Sequence, residues 1–232
     1  MEKEARNIPV LKPKPIKGFN KNRTILIPYE PFEGIIYNLF KDKILKSSNL
    51  YNSIIFLLKD KTIIFKSIGA PQSVMCLERL IASGTNEIIL LGFCGSLEKA
   101  IKIGSIVIAG EAYSQEGTSS HYYKNKKLFN ASRKLLIEIK KVLEKYSFPY
   151  KIVRVASTDA PFRETSKWLK RMADKGISCV DMETSAVYAL AQYYKIDAVS
   201  LMIVTDMLGE KTWISGISDI KKEIKKYFSL FI

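Results

Sequence analysis

Four short stretches of this chain hold residue types whose placement could do chemistry. Asp206 comes directly after a continuous apolar run, residues 198–205 (AVSLMIVT). An acid there has little use for folding unless it caps a neighbouring element. Asp181-Met182-Glu183 stands where a short apolar run gives way to a helical pattern. Ionised carboxylates only accept hydrogen bonds, which suits a pair of hydroxyl donors, with helix capping as the plainer role. Gly69-Ala70-Pro71 precedes a helical pattern, and Gly92-Phe93-Cys94-Gly95-Ser96 follows the most apolar run of the chain. Glycines just past a buried strand let a ligand approach backbone amides, and open sheets bind ligands at the carboxyl ends of their strands. An ordinary tight turn would call for the same residues.

The elements that must position these stretches are legible from hydrophobic period and turn residues. Residues 24–28 (TILIP) form a short buried strand cut off by Pro28 and Pro31, and 34–40 are expected to be helical, with Ile35, Ile36, Leu39 and Phe40 on one side. Residues 53–58 and 62–67 read as a hairpin around Lys59-Asp60-Lys61. A helix over 72–83 starts near Pro71 and stops at Gly84. Residues 87–92 (EIILLG) are the mark of a central strand covered on both faces. Strands over 105–109, 151–156, 178–181 and 198–205 then alternate with helices over 131–146, 164–175, 184–194 and 217–231. This alternation predicts an α/β chain, a single-domain three-layer sandwich with a central mixed β-sheet flanked by helices. Residues 1–22, with Pro9, Pro13 and Pro15 among lysines, read as an N-terminal arm, and 23–232 as one catalytic domain.

Composition bounds the rest. With 232 residues, 47% of them hydrophobic, the chain can bury a sizeable core and is not a disordered class. No apolar stretch approaches the ~18 residues of a membrane span, and the charged start leads into no apolar leader segment, so a cytoplasmic protein is expected. The net charge of +14 comes from runs such as Lys124-Asn125-Lys126-Lys127 and Lys140-Lys141. These are spaced like the wet sides of helices and loops, and no nucleic-acid-binding signature accompanies them. Cys76, Cys94 and Cys179 form an odd, sparse set without CxxC spacing. That fits a reducing compartment and inert core thiols rather than a zinc site.

Six segments, SIGAPQSVMCLERLIASG (67–84), LLGFCGSL (90–97), KIGSIVIAGEAYSQEGTSSHYY (102–123), STDAPFRET (157–165), VDMETSAVYALA (180–191) and IVTDML (203–208), resemble in order and spacing the nucleoside phosphorylase superfamily. That family includes purine nucleoside, uridine and methylthioadenosine phosphorylases and the related nucleosidases, and the resemblance spans residues 24 to 213. It implies that Glu183 grips the ribose 2′- and 3′-hydroxyls and that Met182 lies against the sugar. Asp181 replaces the Glu common at the first position of this triplet. Asp206 matches the acid that purine-cleaving members place beside N7 of the base, where help to the leaving group typically gives about 10²–10⁴-fold. Uridine phosphorylases carry Asn-Arg there, and a Gln and an Arg where this chain has Thr165 and Lys167, so a purine is favoured. Phe162 is a candidate to stack on base or sugar, with loop anchoring as its plainer role. Arg163 is a candidate contact for base or phosphate, with a surface salt bridge as the alternative. His121, the only histidine, sits in EGTSSHYY, which looks most like the uridine-phosphorylase side of the family. The resemblance gives it a substrate-lining role, reaching toward a neighbouring subunit's pocket.

The resemblance breaks at the phosphate side. Familiar members open with a Gly-Asp-Pro turn followed by Arg, and this chain has Tyr29-Glu30-Pro31-Phe32-Glu33. An Arg and a Ser or Thr near the second glycine motif align with Leu90 and Phe93. Each change removes a donor to phosphate worth roughly 1.5–3 kcal/mol. The leading expectation is phosphorolysis of a nucleoside to free base and ribose 1-phosphate, with the nucleophile approaching from the side of Gly69, Gly92 and Glu33, and with Phe93, Cys94 and Gly95 among the substrate-binding residues. The alternative is hydrolysis with Glu33 as general base, since hydrolytic relatives carry a Glu in the opening motif. A non-catalytic nucleoside binder is the third reading. Phosphate is the only co-substrate implied, with no metal or redox cofactor. The expected partners are small molecules and further copies of the chain in a dimer-based oligomer such as a hexamer, not nucleic acid or membrane.

Overall fold

The computed structural model describes residues 9–209 and 212–232; the first eight residues of the expected arm lie outside it. Two long parallel strands organise the molecule: β5 (Glu87–Ser96) and β10 (Asp197–Leu208), paired from Asp197↔Glu87 onward. Both are buried along nearly their whole apolar length, and successive residues serve opposite faces. Ile88 and Leu90 of β5, with Ala198, Met202 and Val204 of β10, join one core. Ile89 and Leu91, with Val199, Leu201 and Ile203, join the other. Helices α1 (Ala70–Ala82) and α5 (Thr184–Tyr194) cover the first face through Val74, Leu77, Leu80, Ala186 and Leu190. Helices α3 (Arg133–Lys145) and α6 (Lys221–Ser229) cover the second through Leu135, Ile139, Ile224 and Phe228. The result is a mixed sheet between two helical layers.

The remaining strands are β1 (Arg23–Ile27), β2 (Lys46–Leu50), β3 (Ser53–Leu57), β4 (Lys61–Phe65), β6 (Ile106–Gln115), β7 (Leu128–Asn130), β8 (Tyr150–Thr158), β9 (Cys179–Asp181) and β11 (Trp213–Ser215). β1 lies between β4 and β5, parallel to both, and β2-β3-β4 extend that side as an antiparallel meander. On the other side β5, β10, β6, β8 and β9 close into a circuit, because β9 pairs back onto β5 while β5 also pairs with β10. The two short helices are α2 (Ser119–Tyr122) and α4 (Ser166–Ala173). Among the described residues no helix is long and apolar enough to cross a membrane.

Several local expectations change. The helix expected over 34–40 is replaced by two 3-10 turns, Tyr37–Leu39 and Lys41–Lys43. Gly34 has φ of +72°, and the Glu30 carboxylate takes the Ile36 and Tyr37 N–H groups at 2.9 and 3.1 Å, which fixes a tight entry instead of a regular turn of α-helix. Gly92–Ser96 and Asp206 were expected just past their strands. They lie within β5 and β10, which run on to Ser96 and Leu208. Strands β2, β7 and β11 were not anticipated; β2 is KSSNL and β7 only three residues long, with no alternation strong enough to read. The described part of the arm, from residue 9 to 22, holds neither helix nor strand but is tied to α1: Ile16 N–H donates to Ser83 Oγ at 2.7 Å and Phe19 is fully buried.

Candidate active site

The carboxyl ends of β5, β9 and β10 converge on Gly95. In register Gly95 faces Asp206 on β10 and Val180 on β9, so two segments far apart in sequence flank one glycine. The β10 register slips between Val204 and Asp206. This bulge inserts Thr205 and re-aims the next side chain, a frequent device beside active sites. An ideal Cβ on Gly95 would lie 2.8 Å from Asp206 Oδ2 and 2.5 Å from Leu208 Cδ1, so the close approach requires a glycine. A cavity of about 660 Å³ opens here. Its walls include Gly92, Phe93, Cys94 and Gly95 of β5, the triplet Asp181-Met182-Glu183, and Thr205, Asp206 and Leu208 of β10.

Each carboxylate has its own environment. Asp206 accepts from Thr205 Oγ1 at 2.8 Å and from the Trp213 indole N–H at 3.1 Å. Glu183 begins α5 without capping it. Its Oε1 instead accepts the Gly69 N–H at 2.6 Å, linking the start of α5 to the start of α1. Burial, reinforced by the Asp181 charge, pushes Glu183 up to about 8. Asp181 lines the cavity but is consumed by the fold: it accepts from Ser157 Oγ at 2.5 Å, from Thr184 N–H at 2.9 Å and from Thr184 Oγ1 at 2.5 Å. It therefore caps α5 and ties it to β8, and burial raises its pKa in spite of these donors. Met182, half-buried, lies in the wall between them.

Phe162 stands at the cavity mouth, 99% exposed, so it anchors no core. Gly69 touches the site through its amide to Glu183 rather than through the wall itself. Three expected residues fall elsewhere. Glu33 is exposed and outside the cavity wall, because the turn after Pro31 carries it to the surface. Arg163 is exposed on the 3-10 turn Pro161–Arg163, with neither a place in the wall nor a salt bridge among the described residues. His121 lies in α2 and lines a separate cavity with Pro71, Glu78, Tyr122 and Asp159. The EGTSSHYY stretch that holds it is fixed by Glu116, a buried carboxylate that accepts from Ser114 Oγ, Ser119 N–H and Oγ, and Ser185 Oγ. Cys94, in the wall, is a buried thiol pushed well up by its neighbour Cys179 and by burial.

Sequence reading missed Glu164, Trp213 and, as a wall residue, Tyr29. Glu164 stood in the quoted STDAPFRET segment without a role. Its half-buried position beside Asp206 raises it to about 7, chiefly by desolvation. The described residues of the wall carry four carboxyl groups, Glu164, Asp181, Glu183 and Asp206, and no Lys, Arg or His.

Comparison with known proteins is consistent with this architecture. The model of the phosphorylase superfamily matches residues 46–226. A DeoD-type purine nucleoside phosphorylase of Brevibacillus brevis is 28% identical over 207 residues, covering 82% of this chain and 84% of the relative. Among solved structures, a 5'-methylthioadenosine/S-adenosyl homocysteine nucleosidase of Campylobacter jejuni superposes with a TM-score of 0.76 at 16% identity, over 90% of this chain and 96% of that one. A uridine phosphorylase of Vibrio fischeri gives 0.72 at 23% identity, over 90% of each chain. With a family model matched over residues 46–226, most of its length, the chain belongs to the phosphorylase superfamily.

Proposed function

We propose that this protein cleaves the N-glycosidic bond of a purine nucleoside, with water as the acceptor of the sugar. The observation that carries the reading is the convergence of Glu183 and Asp206 on one cavity whose described wall holds four carboxyl groups and no basic side chain. Glu183, fixed by the Gly69 amide, offers its acceptors to the ribose hydroxyls. Asp206 addresses the base. As the C–N bond lengthens, positive charge grows on the sugar, and an acidic, partly desolvated wall stabilises it. The described wall offers a phosphate dianion none of the charge-assisted donors it needs.

Phosphorolysis is the second reading. The sequence similarity to the Brevibacillus phosphorylase favours it, and it requires cations from outside the described wall, such as a second copy of the chain. Incubation with adenosine, inosine, methylthioadenosine and uridine, each with and without phosphate, separates the two. Hydrolysis predicts equal purine release in both conditions and free ribose as product. Release only with phosphate, giving ribose 1-phosphate, selects the second reading. Binding without release in either condition rejects both and leaves a nucleoside-binding protein.

A further inference from the structure

A second cavity, of about 470 Å³, lies on the face of the sheet that α3 and α6 cover. That volume falls in the range of about 300–1,000 Å³ common for small-molecule sites. Its floor is apolar: Ile106 of β6, Ile203 of β10 and Tyr227 of α6 are all buried. Tyr227 spends its hydroxyl on the Leu201 carbonyl at 2.5 Å, so its ring rather than a polar atom is left to the cavity. Phe148, in the turn after α3, adds a second ring. The rim is cationic. Lys151, Lys222 and Lys226 line it with one carboxylate, Glu223, and none of the four forms a salt bridge among the described residues. Lys226 instead holds its ammonium 4.7 Å from the Phe148 ring centre, and Lys151 donates to the Ala100 carbonyl at 2.9 Å. The charge is opposite to that of the first cavity, whose described wall has four carboxyl groups and no basic side chain.

We propose that this cavity is a second ligand site, taking a phosphate monoester on an aromatic body, and that its occupancy bears on Asp206 through β10. Charge and shape set the ligand class. Three ammonium groups against one carboxylate leave an excess of two positive charges at the rim. A phosphate monoester brings roughly two negative charges at neutral pH, and lysine serves phosphate as a point charge. The buried rings and isoleucines beneath favour an aromatic body, because a bare anion would leave that apolar floor uncovered. A neutral aromatic molecule would fill the floor and leave the ammonium groups unused.

The link to β10 is made by backbone hydrogen bonds. Gly104 and Ser105 belong to the wall, and both pair with Val204. Gly104 N–H donates to the Val204 carbonyl at 2.8 Å, and Val204 N–H donates to the Ser105 carbonyl at 2.9 Å. Ile203, in the floor, faces Ile106 in register. The bulge follows at once between Val204 and Asp206, and Asp206 lines the first cavity. Two cavities of opposite charge thus share one strand. A ligand that favours one setting of that strand shifts affinity at the other cavity by the same coupling free energy. None of this depends on which nucleoside the first cavity takes.

Titration calorimetry of the intact chain with phenyl phosphate, inorganic phosphate and benzyl alcohol tests the site. Phenyl phosphate should bind as one molecule per chain, and the other two at least about tenfold more weakly. Lys222→Gln combined with Lys226→Gln should weaken phenyl phosphate at least about tenfold. Lys124→Gln combined with Lys127→Gln, also exposed but outside both cavities, should leave its affinity unchanged. No binding by wild type overturns the site, as does an equal loss in the two double variants. Inorganic phosphate or benzyl alcohol binding as tightly as phenyl phosphate overturns the ligand class. Trp213 reports the link, because its indole N–H donates to Asp206 at 3.1 Å. Phenyl phosphate should change tryptophan fluorescence with the calorimetric midpoint, and the change should vanish in Trp213→Phe. Unaltered fluorescence at saturation, or a change that survives Trp213→Phe, overturns the link to Asp206 while the site stands.

Discussion

The Gly69 amide donates to Glu183 Oε1 at 2.6 Å, joining the first residue before α1 to the first residue before α5. Two helix starts on the same face of the sheet are thus locked to the carboxylate proposed to hold the ribose. Gly69 adopts φ +87° and ψ +149°, a region that glycine occupies readily and L-residues avoid. Gly69→Ala should cost about 1–3 kcal/mol of stability and rotate the donor away from Glu183. The expected outcome is a lower Tm together with a raised KM for the nucleoside, read by thermal melts and steady-state kinetics.

Glu183 itself links activity to pH-dependent stability. Its pKa is raised from 4.5 to about 8, first by burial and then by the Asp181 charge. The folded chain therefore binds this proton more tightly than the unfolded chain. Its contribution to stability is fully present below about 4.5, declines as pH rises, and is lost by about 8. Glu183→Gln removes that decline. It should melt higher than wild type above pH 8, by roughly 2–4 °C for each kcal/mol regained in a chain of this size. Above about pH 8 it should also cleave nucleosides at least ~100-fold more slowly, because there wild type holds a carboxylate with two acceptors and the amide offers one. A melt series across pH 5–9 beside a turnover assay checks both halves.

Gly95 separates Asp206 from Val180, and a methyl group there would press on Asp206 Oδ2 and Leu208 Cδ1. Gly95→Ala should lower kcat/KM by about tenfold or more while costing about 1–3 kcal/mol, the usual range for overpacking. Loss of stability without any loss of turnover would place the reacting base away from this side of the cavity.

Asp181 is expected to matter through structure. Asp181→Ala leaves Thr184 N–H, Thr184 Oγ1 and Ser157 Oγ without their acceptor in a buried place, a loss of about 2–4 kcal/mol by denaturant titration. Asp181→Asn keeps one acceptor and removes the charge that helps raise Glu183. Its decline in stability should consequently end at a lower pH than in wild type.

Much of this was legible in the chain itself, for reasons that are local. The EIILLG and AVSLMIVT runs announce strands covered on both faces because burial is written into every position, and those strands became β5 and β10. The helix expected over 184–194 is α5, Thr184–Tyr194, a small-residue-rich helical run. Asp206 and Glu183 stood out as acids at the ends of apolar runs, where folding alone gives them little to do. What depends on register could not be read this way. The one-residue bulge at Thr205, the return of β9 onto β5 and the meeting of both segments at Gly95 are set by pairing between strands far apart in sequence. Glu164, Trp213 and Tyr29 enter the wall from irregular or edge segments with no period of their own, and the Pro31–Gly34 turn carries Glu33 outward while α2 takes His121 to another cavity. Sequence determined which side chains could serve this protein; only the closing of the sheet decided which of them share a space, because hydrogen-bond register, not local propensity, sets the distance between them.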